Sequence, residues 1–265
     1  MTDPAVLLEV RDNICQLTLN RPENRNSIDD EVPQALGQRL EELKSIKGLR
    51  CLILTGTGAC FCGGGDFRSN LFQHLFDDKS LLANEAVHKK IYSAVLGLLD
   101  VEVPIVAAMN GHAIGGGLGV ALLCDLRIAN KTAKYGTNFV RLGCTSGLAI
   151  SYMLPRIVGM SAAMELLLTG RLISGEQAER IGLVNYAVDA EKVLGKAWAL
   201  AREIAEAAPA SVRAMKKSVY HAFAAERRAA SEYEANNMGT TLQSEDFKEG
   251  IAALLAKRQP AFTGR

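Results

Sequence analysis

The sequence predicts an α/β protein. Short apolar runs alternate with amphipathic segments through the first half, two of those runs lead into glycine-rich turns, and helical periodicity dominates the last third. At 265 residues, 48% of them hydrophobic, the chain can bury a sizeable core in one large domain or in one domain with an appendage.

Val6 to Val10 and Ile14 to Leu19 alternate apolar and polar residues about Arg11, Asp12 and Asn13, which reads as a hairpin. Arg21-Pro22 ends the second strand. A helix is expected from about Asp30 to Ile46, with Leu36, Leu40 and Leu43 on one face and Pro33 accommodated in its first turn. Arg50 to Thr55 reads as a short buried strand closed by Gly56 and Gly58. Asn84 to Leu99 places Val87, Ile91, Val95 and Leu98 at helical spacing. Pro104 to Met109 is a second buried strand, Gly115 to Leu123 turns from glycines into a helix, and Leu126 to Ala129 is a third strand. Further helices are expected over Ser161–Leu168, Gly175–Ile181, Ala190–Ala207, Ala210–Ala225 and Glu226 to about Lys257, with Leu183–Val188 extended. Ser174 precedes Gln177 by three residues, a capping-box spacing. No Pro-, Gly- or Ser-rich linker precedes this helical part, so it is expected to pack on the core or on a neighbouring subunit.

The formal net charge of +1 argues against a nucleic-acid or membrane-surface partner. Met1 to Val10 carries acidic residues and no long apolar run, unlike a secretory signal, and the longest apolar stretches stop short of a membrane span. Cys15, Cys51 and Cys124 sit in hydrophobic runs and read as core. Cys60 and Cys62 form a C-x-C pair without a matching His/Cys set downstream, so no metal is expected. A reducing cytoplasm fits this cysteine usage.

The two glycine turns are Phe61-Cys62-Gly63-Gly64-Gly65-Asp66-Phe67 and Asn110-Gly111-His112-Ala113-Ile114-Gly115-Gly116-Gly117. Glycine lets the backbone reach positive φ and approach a ligand closely. Amides at a helix start are unpaired, and the helix dipole favours negative charge there. Two such turns facing each other can hold a carbonyl oxygen that becomes an oxyanion. Tight packing and turn geometry also account for glycines in this pattern. Nucleotide-loop readings fail, because neither G-x-G-x-x-G with a downstream acid nor G-K-[ST] is present.

These turns lie within longer strings that resemble the crotonase (enoyl-CoA hydratase/isomerase) superfamily. Leu17-Thr18-Leu19-Asn20-Arg21-Pro22-Glu23 is similar to its opening signature, and Leu52-Ile53-Leu54-Thr55-Gly56 with the first glycine turn to its first oxyanion loop. Pro104 to Gly111, the Gly115–Gly117 triplet and Cys124 to Ala129 are similar to its second. Leu154 to Gly159, Leu168 to Arg171 and Ala178 to Val184 continue the resemblance in order. It implies a spiral of ββα units with a C-terminal helical trimerisation region, here a core over 1–200 and helices over 201–265, assembled as a homotrimer or hexamer. It implies an acyl-CoA substrate, with coenzyme A as part of that substrate and no separate cofactor.

The resemblance also assigns residues. The oxyanion amides fall on Gly65 and Gly116. Gly63 lies in the same loop. The backbone of Arg25, Asn26, Ser27 and Ile28 is expected to edge the adenine. Arg68 is expected either to pair with phosphates or to be a solvated surface arginine, and Phe262 and Arg265 to reach the coenzyme. Asp66 reads as a turn cap.

Two departures stand out. Hydratases of this family carry one glutamate two residues after the glycine triplet, where this chain has Gly119. They carry another closing a string like F-G-x-P-E, where Tyr135-Gly136-Thr137-Asn138 is followed by Phe139. Hydration needs one carboxyl to accept a proton and another to donate one, and neither residue does either. Dehalogenating relatives place a nucleophilic aspartate near Gly147, also absent. Asn138, Thr137, Thr145 and Ser146 remain to orient a substrate. Arg141 has two readings, a substrate carboxylate or a structural acid. His112 reads as structural, His74 and His88 have no assigned role, and Cys144 has no evident activating base. The expected function is thus an atypical acyl-CoA enzyme of the hydratase/isomerase kind, a lyase or isomerase working through a thioester enolate. The alternatives are decarboxylation, carbon–carbon hydrolysis, or acyl-CoA binding without catalysis.

Overall fold

The structure, a computed structural model, describes residues 4–69 and 93–265. His74, His88 and the expected helix from Asn84 as far as residue 92 lie outside the described residues; the stretch after it ends in a 3-10 turn at Gly97–Asp100. In chain order the elements are β1 (Val6–Arg11), β2 (Ile14–Leu19), α1 (Val32–Ser45), β3 (Cys51–Gly56), β4 (Cys60–Cys62), β5 (Ile105–Met109), β6 (His112–Ile114) and α2 (Gly116–Leu122). They continue with β7 (Leu126–Asn130), β8 (Lys134–Gly136), α3 (Ile150–Thr169), β9 (Ile173–Ser174), α4 (Gly175–Arg180), β10 (Tyr186–Val188), α5 (Val193–Glu206), α6 (Pro209–His221), α7 (Ala224–Thr241) and α8 (Glu245–Leu255).

Two sheets form, in the orders β1-β2-β3-β5-β7-β10 and β4-β6-β8-β9. Three inner strands of the large sheet are each followed at once by a short strand of the small one: β3 by β4, β5 by β6, β7 by β8. The order repeats in both sheets, which is a spiral of ββ units with helices between. Period-two alternation sorts the inner strands. Leu52, Leu54, Ile105 and Ala107 enter the main core, while Cys51, Ile53, Val106 and Ala108 face the opposite side, against Val193, Ala197 and Ala201 of α5. Strands buried on both faces read as continuous apolar runs. A domain boundary at residue 200 would cut α5 in the middle of this contact.

Three sequence expectations change. The helix expected from Ser161 starts at Ile150 and runs through a break at Gly159, whose φ is 77°. The single helix expected from Glu226 to Lys257 is two, because Ser244 accepts a hydrogen bond from Phe247 N–H and caps a new helix at Glu245. The extended stretch over Leu183–Val188 is a strand only from Tyr186. The Ser174–Gln177 capping box is present in both directions.

Corner residues lock one sheet to the other. Asn110, after β5, accepts from Gly56 N–H and donates to Gly58 O at 2.8 Å. Asn26 is fully buried, and its amide donates to Thr57 O and Cys60 O, each at 2.8 Å. Among the described residues no helix is long and apolar enough to cross a membrane.

Candidate active site

Strands β4 and β6 are parallel neighbours, Cys60 opposite His112 and Cys62 opposite Ala113. Their C-terminal ends therefore open on the same edge, and the two glycine turns that follow must meet. A Cβ at Gly64 (φ 93°) would lie 2.7 Å from Ile114 O and 3.5 Å from Gly116 N. One at Gly117 would lie 2.0 Å from Cys62 O. Only glycine allows backbones this close.

The hydrogen-bond pattern aims the two amides. Ile28 N–H donates to Gly64 O at 2.7 Å and Asp66 N–H to Ile28 O at 2.9 Å, which makes Ile28 and Gly65 a parallel bridge. In such a bridge the neighbours of Gly65 carry the bonds, so its own N–H points away from Ile28. Gly116 is the first residue of α2, where an N–H has no helical partner, and Gly115 supplies no side-chain cap. Among the described residues neither the Gly65 nor the Gly116 N–H donates to a carbonyl or side chain. Two unpaired donors on adjacent turns are what a carbonyl oxygen gaining negative charge requires.

Around these turns the walls are largely apolar. A Cβ at Gly116 would meet Ile28 Cδ1 at 3.4 Å and Leu148 Cδ1 at 3.9 Å. One at Gly115 would meet Asn138 Oδ1 at 3.1 Å and the Phe139 ring at 3.6 Å. Phe139 thus stands beside the second turn, where the resemblance puts a glutamate. At Gly119 a Cβ would meet Leu148 Cδ1 and Ile150 Cδ1, both at 3.1 Å. The space for a side chain at that position is filled from the Ser146–Ser151 turn. Leu148 and Ala149 in that turn have φ of 59° and 57°, an uncommon left-handed pair of non-glycine residues costing on the order of 1–3 kcal/mol each.

The remaining candidates fall as follows. In the Arg25–Ile28 segment the amides are used internally: Arg25 N–H bonds Pro22 O, Asn26 N–H bonds Arg21 O, Ser27 N–H bonds Asn24 O, and Ile28 has both backbone groups engaged with the first glycine turn. Any base edging this segment would therefore meet carbonyls, not amides. Gly63 N–H donates to Arg25 O at 2.9 Å, tying the segment to the glycine turn. Arg68 is exposed and paired with Asp66, whose carboxylate also accepts from Arg68 N–H, an Asx-type turn. Arg141 Nε donates to Thr169 O at the end of α3, which is neither reading the sequence suggested. His112 Nδ1 accepts from Lys134 N–H on the neighbouring strand. Thr137 is buried and its hydroxyl donates to Leu166 O, so it does not face a ligand. Phe262 is 41% exposed, in a tail tied to α8 through Thr263 and Gly264 N–H on Asp246. Sequence reasoning missed Leu148, Ile150 and Glu234, which meet here only through folding.

All six cysteines are buried. Burial pushes the Cys144 thiol up to about 12, and that thiol donates to Phe139 O at 3.6 Å. It packs as a buried thiol, an environment that disfavours the reactive thiolate. Native protein at pH 8 is expected to react with iodoacetamide at a small fraction of the rate of the urea-unfolded chain. Rapid alkylation of Cys144 in the folded protein would show that this turn opens.

This chain belongs to the crotonase superfamily, in the enoyl-CoA hydratase/isomerase family, whose profile matches residues 9–265. It is similar to the (E)-benzylidenesuccinyl-CoA hydratase of Thauera aromatica, 36% identical over 98% of this chain and 99% of that one. Among solved structures it is similar to an enoyl-CoA hydratase/isomerase from Pseudoalteromonas atlantica (TM-score 0.86, 29% identity, covering 98% of this chain and 100% of that one). A carnitinyl-CoA hydratase from Mycobacterium avium superposes with a TM-score of 0.84 at 32% identity, with both chains fully covered. An acyl-CoA enzyme of this family is the class that fold and relatives define.

Proposed function

We propose that the protein binds the thioester carbonyl of an acyl-CoA between the Gly65 and Gly116 amides and stabilises the enolate formed there, without the two-glutamate water activation of ordinary hydratases. What supports this reading is the meeting of two glycine turns, each with an N–H that has no partner among the described residues. Each such donor is worth about 3–4 kcal/mol in the transition state and needs no ionisable side chain. Two of the relatives named above are hydratases and one a hydratase/isomerase, yet Gly119 and Phe139 supply neither acid nor base. We assign a lyase- or isomerase-type reaction at the α-carbon.

Coenzyme A enters with the substrate, its adenosine end is assigned to the Arg25–Ile28 carbonyl edge, and Arg68 and Phe262 are assigned to the coenzyme as well. Asn138 and Ser146 are assigned to the acyl end. The assembly is a homotrimer or hexamer in the cytoplasm. Met160, Met164 and Leu168 are exposed at four-residue spacing on α3, an apolar stripe that a neighbouring copy would cover.

Calorimetry with octanoyl-CoA against octanoate tests the assignment. The thioester is expected to bind and the free acid to bind much more weakly. Equal binding of both, or of neither, would sink it.

A further inference from the structure

Helix α3 starts without a local cap. Its N-cap position is Ala149, preceded by Gly147 and Leu148, so no nearby side chain can accept from the first-turn amides. The acceptor comes from 83 residues further along the chain. Glu234 Oε1, on α7, accepts from Ser151 N–H at 2.6 Å and from the Ser146 hydroxyl at 3.3 Å. This carboxylate is only 4% exposed, and Oε2 is buried with no hydrogen-bond partner among the described residues. Burial pushes its pKa up, against the hydrogen bonds it accepts. A buried carboxyl is costly unless it is hydrogen-bonded, and here the bonds that offset the cost all go to the Ser146–Ser151 turn.

What it grips is the turn with consecutive left-handed residues. That turn lies over the oxyanion site: Leu148 reaches both Gly116 and Gly119, and Ile150 reaches Gly119. Two more ties hold the same stretch to α7. The Tyr152 hydroxyl donates to Glu226 Oε2 at 2.9 Å, and Thr145 N–H donates to Thr241 Oγ1 at 3.3 Å. Glu226, Glu234 and Thr241 are spaced by eight and seven residues, about 2.2 and 1.9 helical turns, so they fall within an arc of about 80° and that side of α7 clamps the segment at three points.

We infer that Glu234 is a positioning residue for the acyl pocket: by holding the Ser146–Ser151 turn it sets Leu148 and Ile150 as the apolar wall beside Gly116. The acyl groups this wall accepts next to the carbonyl are hydrocarbon rather than charged. The inference rests on the thioester reading above and adds the residue that shapes its acyl end.

The readout is the ratio of the dissociation constants of free coenzyme A and octanoyl-CoA, which isolates the acyl contribution. Loss of folded protein scales both constants alike and leaves the ratio unmoved, so general destabilisation does not imitate the effect. In the full-length protein Glu234→Ala is expected to lower the ratio about tenfold, Leu148→Ala to lower it similarly, and the double variant to fall no further than the larger single change, since the two act as one unit. Glu234→Gln keeps an oxygen for Ser151 N–H and is expected to retain part of the ratio, about threefold below wild type. An unchanged ratio in folded Glu234→Ala overturns the inference, as does a double variant in which the losses multiply. Should Glu234→Ala fail to fold, Glu234→Leu, which fills the space without an acceptor for Ser151 N–H, takes its place, and an unchanged ratio there overturns it equally. A wild type that does not bind octanoyl-CoA at all sinks the thioester reading and this inference with it; one that binds, with a ratio indifferent to residue 234, sinks only the inference.

Discussion

Wild-type protein is expected to hydrate crotonyl-CoA at least about 10⁴-fold more slowly than a relative carrying both glutamates, since each general acid–base group typically supplies about 10²–10⁴-fold. The positions concerned are Gly119 and Phe139, and the structure strengthens the case. Position 119 is not an open gap into which water and another acid could settle. Leu148 and Ile150 occupy it to within 3.1 Å of where a Cβ would be. Phe139 sets a ring beside Gly115, where the resemblance puts a carboxylate. The measurement is the loss of enoyl absorbance. Turnover of about 10 s⁻¹ or more, ordinary for an enzyme, would show that other groups supply the acid and base. The same crowding bears on any attempt to restore hydration. Gly119→Glu alone forces Leu148 aside, an overpacking cost of about 1–3 kcal/mol. The graft that tests the idea is therefore Gly119→Glu with Phe139→Glu and Leu148→Ala. It is expected to exceed either single glutamate, because paired groups act as a unit.

A second large effect is expected at Gly116. Proline at this position removes the N–H assigned above to the proposed oxyanion site. It sits at the first residue of α2, the one helical position where proline is favoured. Gly115 before it has no Cβ to clash with the proline ring. Gly116→Ala keeps the N–H and adds a Cβ that meets Ile28 and Leu148 at 3.4 and 3.9 Å, ordinary contact. Any enolate-forming turnover is expected to fall about 10²–10³-fold in Gly116→Pro and to change little in Gly116→Ala. Bound cinnamoyl-CoA gives a reading independent of turnover, because donors on its carbonyl polarise the conjugated system and shift its absorption to the red. The shift is expected in the wild type and in Gly116→Ala, and to be largely lost in Gly116→Pro. A folded Gly116→Pro with the full shift would place the carbonyl elsewhere.

The hairpin, α1 and the inner strands β3, β5 and β7 are legible in the sequence because burial on one or both faces writes a period of two or an unbroken apolar run into it. The small sheet is not. Its strands are two or three residues long, too short to show any period, and three of the four exist because β3, β5 and β7 each deliver the chain to the same edge. The start of α3 was hidden for a related reason. Gly147-Leu148-Ala149 contains no capping side chain, so nothing local marks a helix there.

From residues alone came the α/β class, the two glycine turns, the family resemblance and the absence of carboxylates at positions 119 and 139. These are properties of composition, spacing and residue identity, which survive without coordinates. Tertiary structure alone decided that the Gly65 and Gly116 amides share one edge, that Leu148 and Ile150 close the space at Gly119, and that Glu234 caps a helix 83 residues before it. Each of these depends on parallel pairing or helix packing between segments far apart in the chain, and no local signal specifies such a contact because its two halves meet only when the core forms.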